Sequence, residues 1–159
     1  MTVALTSIKI STDFDSGNIQ VLDASDAYQL LLAIEPDTRS AHFQWFHFKA
    51  EGMHVGHTHT FRLSNASHSS YKHAWSGYNA VASYDHINWF RVPTRFDGET
   101  LHISLETREK HAWFAYFEPY SRERHDWLIE QAVTRAGAKL LATGKSVEGR
   151  DIQLLRRGK

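Results

Sequence analysis

The stretch from Ser40 to Lys49 limits the folds open to this chain more than any other segment. Four of its ten residues are aromatic and none is Gly or Pro, which favours a β-strand. Large residues would occupy both faces of that strand. We therefore expect it to lie inside a packed β-structure and not at an edge.

Other short strand-like segments recur up to Phe117. The clearest is Thr58–Leu63, in which polar and apolar residues alternate and predict one buried face. The others are Ile19–Val21, Tyr28–Ile34, Tyr84–Pro93, Leu101–Leu105 and His111–Phe117. This spacing predicts a mainly β fold, with an antiparallel β-sandwich of about seven to nine strands in residues 1–118.

Two glycine-containing connections interrupt this pattern. Asp13–Asn18 is a turn signal in which Gly17 is free to take a positive φ. Glycines at positions 52 and 56 give Ala50–Gly56 the composition of a hairpin connection between neighbouring strands. We expect both segments to be turns at the ends of strands.

The pattern changes after Pro119. Ser121 can cap a helix, and Gly137 is a suitable end for it. Apolar residues recur at helical spacing between these two positions, at Leu128, Ile129, Ala132, Val133 and Ala136. Lys145–Val147 and Asp151–Leu155 then flank the turn Glu148–Arg150. We expect residues 119–159 to hold a linker, one α-helix and a β-hairpin that begins an incomplete α/β domain.

Composition excludes several classes of function. The 18 basic and 18 acidic residues balance, so we expect neither nucleic acid nor a membrane surface as a partner. The chain has no cysteine, which excludes disulfides, thiolate zinc sites and cysteine nucleophiles. Met1–Lys9 lacks the pattern of a secretory leader, and no apolar run approaches the roughly 20 residues that span a bilayer. A cytoplasmic protein is the expectation.

Eleven histidines raise the hypothesis of a metal site. The densest cluster is His54, His57 and His59, in which the last two would share one face of a strand, as in cupin-type metal sites. No carboxylate follows closely, and no third ligand can be named. The alternative is a polar hairpin end whose imidazoles face solvent. The zinc-peptidase patterns H-E-x-x-H and H-x-x-E are both absent.

The five tryptophans allow two interpretations. They could form a platform on which sugars stack, or they could pack in the core, which their strand-like surroundings favour. They lie at Trp45, Trp75, Trp89, Trp113 and Trp127. The sequence also lacks the G-x-S-x-G motif of serine hydrolases and a glycine-rich loop for binding phosphate.

Five short segments of the sequence, taken together, resemble the sequences of one protein family. They are Phe14–Ile19, Phe43–Phe48, Ser83–Asp85 with Trp89–Val92, Phe114–Phe117 with Pro119–His125, and Gly144–Ile152. The first four resemble, in order, the N-terminal β-sandwich domain of the cytosolic carboxypeptidases, a branch of the zinc metallocarboxypeptidases. The fifth resembles the opening hairpin of the catalytic domain that follows it.

This resemblance implies an enzyme that removes C-terminal residues from peptides or proteins by means of a zinc-activated water. The family takes its zinc ligands from an H-x-x-E motif after the hairpin and from a later histidine. This chain contains no such motif, so it supplies no catalytic, cofactor or zinc residue, and zinc is expected only in the missing catalytic domain. The chain alone should be inactive. The resemblance also implies that the sandwich packs on the catalytic domain and helps to shape access to the active site.

Two further kinds of function stay open at this point. The chain could be a stand-alone module that binds protein or carbohydrate through exposed loop aromatics such as Trp75 and Tyr78. It could also be a cupin-like metalloenzyme that uses His57 and His59. The expected partners are its own catalytic domain or, through an exposed C-terminal hairpin, a second copy of the chain.

Overall fold

The computed structural model describes residues 7–158 and divides the chain into two compact units, Met1–Pro119 and Tyr120–Lys159. The expected sandwich begins at Met1, but residues 1–6 lie outside the described part. None of the helices described there is long and apolar enough to cross a membrane.

Within the described residues, the first unit contains ten strands in two five-stranded sheets. The first sheet has the order β1-β4-β10-β6-β7, and the second has the order β2-β3-β5-β9-β8. The strands are β1 Lys9–Ser11, β2 Gln20–Asp23, β3 Gln29–Ala33, β4 His47–Glu51, β5 Thr58–Leu63, β6 Val81–Ser83, β7 Phe90–Arg91, β8 Thr94–Phe96, β9 Leu101–Glu106 and β10 His111–Ala115. All pairs are antiparallel except β3 with β5, which is parallel.

The two sheets share one aromatic core, which confirms the predicted β-sandwich. Phe48 and Phe114 lie on neighbouring strands of the first sheet, and Phe61 lies on the second. The ring of Phe61 is 4.5 Å from that of Phe114 and 5.3 Å from that of Phe48. All three side chains are fully buried. The predicted alternation in β5 is also present, because His59, Phe61 and Leu63 are buried while the residues between them are more exposed.

The aromatic stretch at positions 40–49 is a strand only from His47 onward. Before that point, the backbone forms hydrogen bonds with side chains and loop residues and does not pair with a neighbouring strand. The Asn18 side-chain amide donates to the carbonyl oxygen of Trp45 (3.0 Å), and the amide N–H of Phe43 donates to Ser70 Oγ (3.0 Å). Backbone groups that bond to side chains in this way are not available to a neighbouring strand, despite the high β propensity of the stretch. The longer strand predicted there is therefore wrong in its first half.

The strand predicted over Tyr84–Pro93 is also mostly a turn. Only Phe90–Arg91 is extended and paired. The Asp85 carboxylate accepts hydrogen bonds from the amide N–H groups of Ile87 (2.9 Å) and Asn88 (2.7 Å). An aspartate that bonds to the backbone two and three residues ahead stabilises a turn.

The segment Ala50–Gly56 does not close a hairpin, contrary to prediction. β4 lies in the first sheet and β5 in the second, so the connection crosses from one layer to the other. Gly52 and Gly56 both have positive φ, at 81° and 78°, a backbone conformation that glycine adopts without penalty.

The second unit contains the predicted helix and hairpin. Helix α1 spans Arg122–Thr134, and the amide N–H of Arg124 donates to the capping Ser121 Oγ (3.2 Å). Strands β11 Lys139–Lys145 and β12 Asp151–Arg156 pair antiparallel. The first strand lies earlier than predicted, because Ser146 already belongs to the turn and its N–H donates to the Arg150 carbonyl oxygen (2.8 Å).

Candidate functional site

The first candidate cluster, His54, His57 and His59, surrounds the end of the crossover between the sheets. His59 is fully buried. Its Nδ1 lies 2.7 Å from the Ala27 carbonyl oxygen, and the His54 amide N–H donates to its Nε2 (3.0 Å). The carbonyl oxygen can only accept, so the proton sits on Nδ1 and Nε2 is the acceptor. Both ring nitrogens therefore hold the backbone in place, and neither is available to a metal.

The other two histidines of this cluster contact Tyr28. His54 Nδ1 lies 2.8 Å from the Tyr28 hydroxyl, and the two rings are 5.3 Å apart. His57 is exposed, and its Nδ1 lies 3.2 Å from the Val55 carbonyl oxygen. The alternative drawn from the sequence was a hairpin end whose imidazoles face solvent. His57 is exposed, as that alternative requires, whereas His59 is buried. Across residues 7–158, no group of three or more His, Asp or Glu side chains is arranged to hold a metal, so a zinc ion does not fit this cluster.

A second histidine cluster, which sequence reasoning missed, lies on the outer face of the first sheet. His47, on β4, is fully buried. Its Nδ1 lies 3.0 Å from Ser16 Oγ, and its Nε2 lies 3.1 Å from His86 Nε2. These partners are 31 and 39 residues away in sequence, so no local motif could have revealed them.

Both partners of His47 have a costly backbone conformation. Ser16 has φ 62° and His86 has φ 63°, and they are the two non-glycine residues with positive φ in the described part. Such a conformation costs roughly 1–2 kcal/mol for a non-glycine residue. Gly17, for which a positive φ was predicted, is not among the positive-φ glycines. It is needed instead for space, because a Cβ there would overlap the carbonyl of Thr12.

Aromatic rings enclose this cluster. Phe14 and Trp89 meet the His47 ring edge-on, with centroids 4.8 Å and 5.7 Å away, and Trp113 stacks on His86 at 5.0 Å. Burial, and secondarily the neighbouring His86, lowers the pKa of His47 to about 3, against the opposing effect of the Asp15 carboxylate. The imidazole of His47 is therefore neutral at physiological pH and acts as a hydrogen-bonding part of the fold.

The tryptophans divide between the core and the surface. Trp75 is buried, and its Nε1–H donates to the Ala66 carbonyl oxygen (2.9 Å) and to Ser69 Oγ (2.8 Å). Its burial removes the exposed Trp75 and Tyr78 cluster on which the binding-module hypothesis depended. Trp127, by contrast, is 59% exposed, so core packing does not account for it.

The second unit carries a set of exposed apolar side chains that we call the tail face. No residue of α1 is buried, and each member of the set is between 40% and 59% exposed. The members are Trp127, Leu128, Val133, Leu140, Leu141, Ile152 and Leu154. Exposed apolar side chains in this number are typical of surfaces that another protein segment covers.

Comparisons with known proteins agree with this architecture. Residues 10–117 match the model of the cytosolic carboxypeptidase N-terminal domain. A metallo-carboxypeptidase from Pseudomonas aeruginosa, solved in complex with (2-guanidinoethylmercapto)succinic acid, is 59% identical over 95% of this chain and 40% of its own, with a TM-score of 0.90. A metallo-carboxypeptidase from Burkholderia cenocepacia is 37% identical over 96% of this chain and 40% of its own, also with a TM-score of 0.90.

An uncharacterized protein from Zymomonas mobilis is 36% identical over 151 residues, which are 95% of this chain and 39% of that protein. The chain therefore spans about 40% of the length of the relatives it matches. It belongs to the cytosolic carboxypeptidase N-terminal domain family. The resemblance drawn from the sequence is confirmed.

Proposed function

We propose that this chain serves as the non-catalytic N-terminal part of a cytoplasmic zinc metallocarboxypeptidase, an enzyme that hydrolyses C-terminal residues from peptides or proteins. The observation that carries this proposal is the match to solved metallo-carboxypeptidases over nearly all of this chain but only 40% of theirs. The remaining part of such an enzyme would hold the zinc and the catalytic residues. In this view the sandwich packs on the catalytic domain and shapes access to its active site.

The tail face supports the proposal that the second unit belongs to a larger domain. A two-stranded hairpin is marginally stable by itself and presents unpaired backbone groups along both edges. In a longer enzyme, the catalytic domain would cover the tail face and extend the β11–β12 hairpin. We propose that domain as the principal partner, and neither nucleic acid nor membrane.

A carboxypeptidase assay tests the catalytic part of the proposal. The purified chain is incubated with peptides of varied C-terminal residues, once with added zinc and once after treatment with a chelator. We expect no turnover in either case, because three protein ligands and an open position are needed for zinc catalysis. Zinc-dependent turnover by the purified chain would locate an active site within it and overturn the proposal.

The domain assignment has its own test. The reading frame beyond Lys159 and the intact mass of the natural product are determined together. We expect a continuing frame that encodes an H-x-x-E motif, and co-expression of that segment should protect the amides of β11 and β12 from hydrogen exchange. A natural product that ends at Lys159 would contradict the proposal.

A further inference from the structure

The outer face of the second sheet carries a row of three basic side chains on three adjacent strands. Arg62 on β5 is directly opposite His102 on β9, and His102 is directly opposite Arg95 on β8. Neighbouring strands lie about 4.8 Å apart, so the Cα atoms of the two arginines are roughly 10 Å apart with His102 between them. The residues that alternate with this row, Phe61 and Leu101 among them, face the buried core.

Only part of the charge in this row is balanced within the fold. Asp97 Oδ2 accepts a hydrogen bond from His102 Nε2 (2.7 Å). Hydrogen bonds, first from the Thr100 amide and then from His102, hold the pKa of Asp97 below its usual range, so this carboxylate stays charged. Hydrogen bonds from Ser25 lower the pKa of Asp23, and the positive charge of Arg62 makes a smaller contribution in the same direction. The permanent positive charge of the row comes from the two arginines, which lie on either side of His102.

The two guanidinium groups have unused hydrogen-bonding capacity. Arg62 Nε is buried and has no hydrogen-bond partner in residues 7–158. Arg95 is exposed, and none of the ion pairs described for that range involves it. A buried donor that lacks a hydrogen-bond partner is destabilising, whereas the exposed guanidinium of Arg95 is accessible to a ligand.

An open pocket of about 330 Å³ lies against this row, lined by Thr60, Pro93, Thr94, Arg95, His102 and Ser104. Its volume is at the lower end of the range for small-molecule sites. Thr60 Oγ1 and Ser104 Oγ are 3.2 Å apart. One hydrogen bond between two hydroxyls uses one of their two protons, so the second remains free to point toward a ligand.

We propose that this pocket and the adjoining row bind a small oxyanion, a phosphate or a carboxylate group. Guanidinium groups present forked donors that match the paired oxygens of both groups. Arg95 would contact the anion in the pocket, and the Thr60–Ser104 pair would donate one hydroxyl proton to it. Arg62 lies at the far end of the row, with His102 between the two arginines. The ligand would supply the negative charge and the acceptors that the row lacks. This site is independent of the proposed carboxypeptidase role.

Calorimetric titration of the purified chain tests the site. Inorganic phosphate and succinate are the probes, each at constant ionic strength set with sodium chloride, so that general screening is equal in all samples. We expect saturable binding of at least one probe with a Kd on the order of 1–10 mM. A preference for phosphate would identify a phosphorylated ligand as the source, and a preference for succinate would identify a carboxylate.

Three substitutions assign the binding to the row. Arg95→Gln should weaken binding about tenfold or more, and Arg95→Lys, which keeps the charge but loses the fork, should have an intermediate effect. Arg62→Gln should weaken binding less, because Arg62 lies outside the lining of the pocket. Arg156→Gln removes one positive charge from the exposed strand β12 and serves as the matched control. It should leave the affinity unchanged.

Circular dichroism verifies that each variant is folded. If Arg62→Gln unfolds the chain, Arg95→Gln still tests the site, because Arg95 is exposed and does not support the core. Absence of saturation up to about 50 mM of both probes would overturn the proposal, since that excludes any affinity stronger than roughly 2 kcal/mol. Equal loss of binding in Arg156→Gln and Arg95→Gln would also overturn it, because the effect would then reflect net charge alone.

Discussion

Acidification should weaken the first unit through His47, because this side chain is buried without charge. The pKa of His47 in the folded chain is about 3, and that of an unfolded histidine is about 6.5. The unfolded state therefore takes up a proton first as the pH falls. The contribution of His47 to the free energy of unfolding is fully present above pH 6.5 and is lost as the pH drops from there toward 3.

The size of this effect follows from the two pKa values. Between pH 7.5 and pH 4.5, proton uptake by the unfolded state lowers the free energy of unfolding by about 2.5–3 kcal/mol. The lower limit of pH 4.5 stays above the pKa of an unfolded aspartate, which is about 3.9. Hydrogen bonds lower the pKa of both Asp85 and Asp97, with an Asn88 and a Thr100 amide as the respective largest causes. Their effect on stability is therefore confined to lower pH, near and below the value of an unfolded aspartate.

Urea unfolding at a series of pH values provides the measurement. Tryptophan fluorescence is recorded in a Trp127→Phe background, so that the signal comes from the first unit. The midpoint should shift by roughly 1–2 M urea between the two pH values. His47→Gln should lose most of this pH dependence, whatever its absolute stability. His68→Gln, at an exposed position in the 3-10 helix Ala66–His68, should retain it. Equal pH dependence in the two variants would refute the reasoning, as would an NMR resonance of His47 that titrates near pH 6.5.

Four other perturbations follow from the same structure. Phe61→Ala should lower the free energy of unfolding by about 3–5 kcal/mol in urea titrations, because its ring fills the space between the sheets; a loss below 1 kcal/mol would contradict the packing described. Gly17→Ala should destabilise the first unit and disturb the His47 NMR signals, since a Cβ would overlap the Thr12 carbonyl; an unchanged spectrum would be evidence against that turn. Ser121→Ala should lower the stability of α1 by about 1 kcal/mol through loss of its cap, measured by hydrogen exchange of the Arg124 amide; unaltered exchange there would rule out the cap. We also propose that the chain self-associates through its C-terminal hairpin when the catalytic domain is absent. Light scattering should then show a species larger than the monomer, and the double substitution Leu140→Gln with Ile152→Gln should reduce its amount. A strict monomer at high concentration would disprove this.

The elements that sequence reasoning predicted best are those with a local cause. β5 matches the predicted Thr58–Leu63 in both bounds because its alternation is a property of six adjacent residues. α1 begins after Ser121, as predicted, because a cap acts over a single turn. The aromatic stretch was predicted poorly for the opposite reason. Its first half bonds to Asn18 and Ser70, which lie far from it in sequence, and β propensity carries no information about such partners.

The clusters of interest on the first unit could not be predicted because they depend on register. In a sheet ordered β2-β3-β5-β9-β8, Arg62, His102 and Arg95 share a row only because three strands pair in one particular alignment. A slip of one residue in β9 would send His102 into the core and bring Leu101 or Ile103 to the surface. The same core residues that stabilise the sandwich therefore also determine which charged side chains meet on its outer face. In this chain, a core of fixed register is what brings side chains from distant parts of the sequence together on one surface.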